Sequence, residues 1–274
     1  MAQSTFQRYE LKYLMTTGQQ QAILAAMEPH MEPDQYSHSS IRNLYLDTPD
    51  FRLIRRSLEK PVYKEKLRVR SYGRAGAGDP VFVELKKKFR SVVYKRRISM
   101  AQDQALACVA GRAPWPDSQI GRELAYAAAF YETLRPAVFL SYERDSFRGL
   151  EGKDFRVTFD RDIRYRCQQL TLAHDPWGTS LLPQGWVLME VKAAGAIPLW
   201  MVRALSAQGG LSDLLLQVRH GLSGSAGRRE GRGQVCLSPG SGGCLTPPSP
   251  PPSPRWIFCC AWGYPWPWGC CCAP

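Results

Sequence analysis

Between residues 62 and 99 apolar and charged side chains alternate with a period of two. Leu67 and Val69 interleave with Arg68 and Arg70, and Val81, Val83 and Leu85 with Glu84, Lys86 and Lys88. Alternate residues of a strand point to opposite faces, so each of these segments has one apolar and one charged face. Lys95 and Arg97 continue the row on a third segment. The pattern predicts strands near 62–72, 80–88 and 92–99, with turns at Gly73–Gly78 and Phe89–Ser91. Further strands are expected over Phe6–Leu14, Ile41–Leu46, Ala137–Phe147, Phe155–Ile163 and Trp186–Ala193, and a weaker one over Arg166–Leu172. Helical spacing covers Thr17–Met27, Ala101–Gly111, Ser118–Leu134 and Pro198–Ala207. Thr48-Pro49-Asp50 starts a short helix through Arg56.

The charged faces repeat along the chain. Arg8, Glu10 and Lys12 share one face of the first strand, Tyr142 and Arg144 one face of a later strand, and Glu190 and Lys192 one face of the last. The helices carry apolar stripes, such as Ile23, Leu24 and Met27, that need apolar surface to cover. If they cover the apolar faces of the strands, the charged faces line the interior. The expected fold is therefore α+β: an antiparallel barrel around a basic tunnel, with helices packed outside. An empty, desolvated cationic interior costs several kcal/mol. A water-filled tunnel that takes a polyphosphate anion offsets this, at about 1.5–3 kcal/mol for each charge-assisted hydrogen bond. Ion pairing explains a carboxylate such as Glu84 among these cations. A divalent metal bridging carboxylate to phosphate is the functional explanation for Glu190.

Composition supports an anionic ligand. The 274 residues carry a formal charge of +12, which favours a polyanionic partner. Met1–Glu10 is polar and does not resemble a secretory leader, and no apolar run reaches the length of a membrane span, so a cytoplasmic location is expected. A Gly-x-x-x-x-Gly-Lys-Ser/Thr loop is missing, which argues against a P-loop nucleotidase. His30, His38, His174 and His220 have no metal-ligand spacing, and Cys108 reads as a core residue rather than a nucleophile.

The pattern breaks near residue 212. No Lys follows Lys192, ten of the 21 prolines fall in the last segment, and seven of the nine cysteines lie after residue 230. Such a segment is expected to be disordered. Codons chosen for Asp213–His220 and read one base later spell Thr-Ser-Phe-Ser-Lys-Tyr-Gly-Thr. A change of reading frame near Ser212 is therefore expected, with 1–211 as the functional domain and 212–274 as an out-of-frame tail.

Several segments together resemble a known family. They are Phe6–Tyr13, Tyr45–Pro49, Leu67–Gly73, Glu84-Leu85-Lys86, Tyr94–Arg97, Leu140–Arg144 and Glu190-Val191-Lys192, in that order. The set is similar to the VTC domain of polyphosphate polymerases, within the triphosphate tunnel metalloenzymes and related to the CYTH proteins, over about residues 4–211. The resemblance implies a polymerase that transfers the terminal phosphoryl group of ATP to a growing polyphosphate chain, with Mn²⁺ or Mg²⁺. It implies that Arg8, Lys12, Arg68, Arg70, Lys86, Lys95, Arg97, Tyr142, Arg144 and Lys192 hold phosphates. Lys12, Arg68, Arg70, Lys86 and Arg144 would be catalytic, and Glu190 would hold the metal. ATP and inorganic polyphosphate are the implied partners and nucleic acid is not. Any coupling to a membrane would need a partner protein. Arg8 stands where CYTH proteins usually have the first Glu of Glu-x-Glu-x-Lys. The Ser-Lys-Tyr-Gly-like motif that normally ends the VTC domain occurs only in the shifted frame. A triphosphatase acting on triphosphate or RNA 5′ ends, and an impaired polyphosphate-binding module, are the alternatives.

Overall fold

The computed structural model describes residues 9–59, 62–89, 92–151 and 154–209. Among these residues nine strands form one antiparallel sheet: β1 (Tyr9–Thr16), β2 (Met31–Asp47), β3 (Tyr63–Tyr72), β4 (Pro80–Phe89), β5 (Val92–Ala101), β6 (Arg135–Gly149), β7 (Arg156–Arg166), β8 (Thr179–Ser180) and β9 (Trp186–Ala193). Their order is β1-β9-β7-β6-β2-β3-β4-β5, with the short β8 beside β7. β1 and β5 are the end strands of this path. The sheet curls strongly enough that Lys86 Nζ on β4 comes 4.0 Å from Glu10 Oε2 on β1. The result is a tunnel-like sheet rather than a barrel closed by continuous hydrogen bonding.

Among the described residues five helices lie outside: α1 (Thr17–Met27), α2 (Arg52–Leu58), α3 (Gln102–Val109), α4 (Gln119–Tyr131) and α5 (Leu199–Ala207). α1 begins at a capping box between Thr16 and Gln19, which satisfies two backbone donors at once. Ile23 and Met27 of α1 join Met201 and Leu205 of α5 on the outward side chains Tyr13, Met15, Val187 and Met189 of β1 and β9. At the other end of the sheet, Ala105, Val109, Leu124 and Ala127 of α3 and α4 cover Leu67, Val69, Val83 and Leu85. The apolar faces are thus buried against helices, and the charged faces are left inside. α4 starts at Ser118, whose hydroxyl accepts from the Gly121 amide at 3.0 Å. A Cβ at Gly121 would sit 1.9 Å from the Pro116 carbonyl oxygen, so only glycine allows this approach.

Three elements differ from the sequence expectation. β2 starts at Met31, ten residues before Ile41, and pairs with the far half of β6 across a register shift between Pro33 and His38. This arm is mostly exposed, so it lacks the apolar alternation that marks a half-buried strand. α2 begins at Arg52 rather than Thr48. The buried Asp47 carboxylate accepts from the amides of Thr48, Leu53 and Ile54, and Phe51 turns the chain in left-handed geometry. The weaker strand expected over Arg166–Leu172 does not form; β7 ends at Arg166. The Arg166 guanidinium donates to the carbonyls of Gln169, Thr171 and Trp177 and holds that segment as a loop.

Candidate functional site

The inward side chains of β1, β9, β6, β3, β4 and β5 form one charged cage. Strand register sets this arrangement. Lys12 pairs with Glu190, Arg68 with Glu84, Glu84 with Arg97 and Lys86 with Lys95. The strand pairing thus delivers alternating residues of distant segments to the same side of the sheet.

Two buried carboxylates organise the cage. Glu84 lies 2.7 Å from Arg68 Nη2, 2.8 Å from Lys95 Nζ and 3.5 Å from Arg97 Nε. Burial alone would raise its pKa; Arg68, Arg70 and Lys95 outweigh this and bring it down to about 2. Glu190 lies 2.9 Å from Lys12 Nζ, 3.3 Å from Lys192 Nζ and 3.6 Å from Arg144 Nη2. Burial opposes its charge as well, and Lys192, Lys12 and Arg144 hold it well below the usual carboxylate range. Lys12 also contacts Glu10, so one ammonium bridges two carboxylates. Burial pulls the Lys12 pKa down to about 8, against the pull of Glu190, with Lys86 and Lys192 adding to the depression.

Neutral groups and one further carboxylate aim the arginines. Arg70 Nε donates to Asn43 Oδ1 at 2.9 Å, and its Nη2 donates to the Tyr142 hydroxyl at 3.1 Å. Arg68 Nη1 donates to the Tyr45 hydroxyl at 3.1 Å. Burial pushes the Tyr45 phenol up, so it accepts as a neutral hydroxyl. Arg144 is held by Asp160 through two hydrogen bonds of 2.6 and 2.7 Å. Arg97 lies over the Phe82 ring, 3.4 Å from its centroid, a cation–π placement.

Lys12, Arg68, Arg70, Lys86, Lys95, Arg97, Arg144, Lys192 and Glu190 therefore share one face of the sheet. Tyr142 is buried on that face and touches Arg70. Arg8 and the whole segment from residue 210 lie outside the described residues. Asn43, Tyr45 and Asp160 belong to the cage but were not expected from sequence. The signal available for Asn43 and Tyr45 was their alternation on β2. For Asp160 the sequence carried none. Cys108 is buried in the outer core, 3.2 Å from the Pro114 carbonyl oxygen. His38 lies on the outer face against Asp145 and Glu143. Among the described residues no three His, Cys, Asp or Glu side chains are grouped to hold a metal by themselves, and no helix is long and apolar enough to cross a membrane.

The family model described as "VTC domain" matches residues 7–210. The chain belongs to the VTC domain family. Membership gives it a tunnel-fold, phosphate-related function, in keeping with the cationic interior. Among solved structures, a candidate adenylate cyclase from Bacillus halodurans is similar at 13% identity and TM-score 0.45, covering 70% of this chain and 83% of its own. A candidate adenylate cyclase from Vibrio parahaemolyticus shows 13% identity and TM-score 0.37, covering 77% and 89%. A Pyrococcus horikoshii protein shows 10% identity and TM-score 0.34, covering 76% and 89%. No curated protein matches this chain.

Proposed function

We propose that this VTC domain is a metal-dependent polyphosphate polymerase that moves the terminal phosphoryl group of ATP onto a polyphosphate chain. The observation that carries this is the convergence of Lys12, Arg68, Arg70, Lys86, Arg144 and Lys192 on one interior from β1, β3, β4, β6 and β9. Phosphoryl transfer asks little covalent chemistry of the protein. Positioning and neutralisation of equatorial oxygens supply most of the catalysis. Arg70 is aimed by hydrogen bonds to the neutral Asn43 and Tyr142, which leaves its guanidinium turned into the cage. Arg68 and Arg144 are fixed by Glu84 and Asp160 and act as rigid donors. Lys86, Lys95, Arg97 and Lys192 stand closer to solvent and meet the anion first. Lys12 and Lys86 flank Glu10 and would neutralise the transferring group.

The donor set fits a divalent metal only together with phosphate. Glu190 and Glu10 both face the Lys12 ammonium, and hard cations such as Mg²⁺ commonly take one or two carboxylates plus substrate oxygens. Glu190, assisted by Glu10, would hold Mn²⁺ or Mg²⁺, which would supply further charge neutralisation. We also propose that residues 1–211 form the functional domain and 212–274 an out-of-frame tail. The in-frame loss of the Ser-Lys-Tyr-Gly string favours, as a second reading, a chain that binds polyphosphate without turning it over.

Incubating the full chain, and a chain with the frame restored near Ser212, with ATP and Mn²⁺ tests the proposal. Long polyphosphate from either supports a polymerase. Free phosphate alone supports a triphosphatase. Tripolyphosphate binding without turnover in both chains supports the binding module.

A further inference from the structure

We infer that a small oxyanion of the inorganic phosphate type binds on the outside of the sheet, at Arg42 and Ser141, beneath the loop that follows β7. Arg42 of β2 and Ser141 of β6 are register partners, so their side chains stand side by side. They share the outward face with Leu44 and Phe139, while Asn43 and Tyr142 between them turn into the cage. Arg42, Ser141 and Arg166 are each at most 5% exposed. Nη1 of Arg42 donates to the carbonyls of Leu172 and His174, at 3.3 and 2.6 Å. The other edge of this guanidinium is unspent. Its Nε has no hydrogen-bond partner, and its Nη2 reaches only Asp175 Oδ1, at 3.9 Å. Nε and Nη2 together form the planar two-donor fork that matches a carboxylate or phosphate. Beside that fork, the buried Ser141 hydroxyl also has no partner.

The charge balance points the same way. Arg166 spends its donors on the carbonyls of Gln169, Thr171 and Trp177, so two buried guanidiniums lie under one loop. Burial lowers the pKa of both, and Arg42 lowers that of Arg166 further. Two carboxylates face Arg42. Glu143 is already bonded to Ser40 and paired with His38. Asp175 is 69% exposed and is held by Nε and Nη2 of Arg74. A buried cation carries a desolvation cost that a paired, hydrogen-bonded anion offsets, and neither carboxylate hydrogen-bonds to Arg42. An oxyanion on the fork supplies that charge and satisfies the orphaned donors of Arg42 and Ser141 together. It enters from the Asp175 side, where the loop meets solvent, and Arg74 is a second cation at the rim. The site lies across the sheet from the cage and does not depend on the polymerase reading.

The test is calorimetric titration of the full chain with inorganic phosphate, in wild type and in variants of each face of the sheet. Phosphate binding with one site per chain is expected that the cage variant Arg70→Ala leaves unchanged. Asp175→Asn removes the competing carboxylate and should tighten this binding several-fold. Ser141→Ala removes one donor and should weaken it several-fold. Arg42→Lys keeps the charge but loses the fork, and should abolish it. Ser141 makes no side-chain hydrogen bond and Asp175 is at the surface, so these two variants decide the matter even where Arg42→Lys does not fold. Absence of phosphate binding in both wild type and Asp175→Asn would overturn the inference and leave water on the fork. Phosphate binding that responds to Arg70→Ala but not to Ser141→Ala or Asp175→Asn would place the anion in the cage and overturn the outer site. Loss of tripolyphosphate binding to the cage would count against the phosphate-binding interior and leave the outer site standing.

Discussion

Glu84 and Glu190 are buried carboxylates on the same interior, each ringed by three cations, yet their surroundings differ. Around Glu84 two contacts are shorter than 3 Å, and the cations Lys95 and Arg97 reach it from the open side of the cage. Around Glu190 the contacts lengthen from 2.9 to 3.6 Å. Its arginine is already held by Asp160, and its lysine is depressed toward neutral pH. A buried charge held at short range by several cations is structural, because removing it leaves them uncompensated. A buried charge whose partners are shared can exchange them for a ligand. The difference teaches that the two Glu-centred clusters are built differently: Glu84 ties together β3, β4 and β5, and under the proposed function Glu190 is the one left for the metal.

The strongest way to break this comparison is to remove each carboxylate in turn. Glu190→Gln is expected to abolish metal-stimulated turnover in the active chain while leaving metal-free nucleotide binding intact or tighter, as an anionic neighbour is lost. Unchanged turnover with Mn²⁺ would assign Glu190 to the scaffold. Glu84→Gln is expected to cost about 3–5 kcal/mol of stability in denaturant unfolding, more than Glu190→Gln does. The reverse ranking would invert the assignment.

Acid sharpens the contrast. The Glu84 pKa falls from 4.5 to about 2 on folding. The unfolded chain then binds more protons across that window, so the Glu84 contribution is fully present above about 4.5 and is lost as pH drops toward 2. Thermal melts should show the wild-type stability falling through this range and the Glu84→Gln slope flattened. Equal slopes would mean that Glu84 does not carry the linkage.

Arg70→Ala is expected to weaken tripolyphosphate binding by about 1.5–3 kcal/mol, read by calorimetry, with melting changed less than by Glu84→Gln because Arg68, Lys95 and Arg97 still face Glu84. Near-wild-type affinity would remove Arg70 from the site. A smaller effect is expected from pH. Lys12 loses its proton near pH 8 in the free protein, so affinity should decline above that pH, and Lys12→Met should lose the inflection. Deleting residues 212–274 should have the smallest effect, leaving melting and binding unchanged. Unfolding on deletion would show that the tail is part of the domain.

Much of this arrangement could be read along the chain. Period-two alternation placed Arg68, Arg70, Lys86, Lys95, Arg97 and Lys192 on charged faces, and apolar stripes such as Ile23 and Met27 placed helices over the opposite faces. These are local properties, set by the backbone repeat of each element. The strand over Glu32–Ser40 was not legible, because its pairing partners on β6 lie more than a hundred residues away, and the loop after Arg166 was not, because buried guanidinium bonds to Gln169, Thr171 and Trp177 hold it. The same holds for Asn43, Tyr45 and Asp160, which are unremarkable polar residues until register sets them against arginines. By itself the sequence determined which faces are charged and that they need an anion. Only the tertiary structure decided which carboxylate meets which cation. Those outcomes depend on strand order, stagger and curl, and no segment encodes them alone.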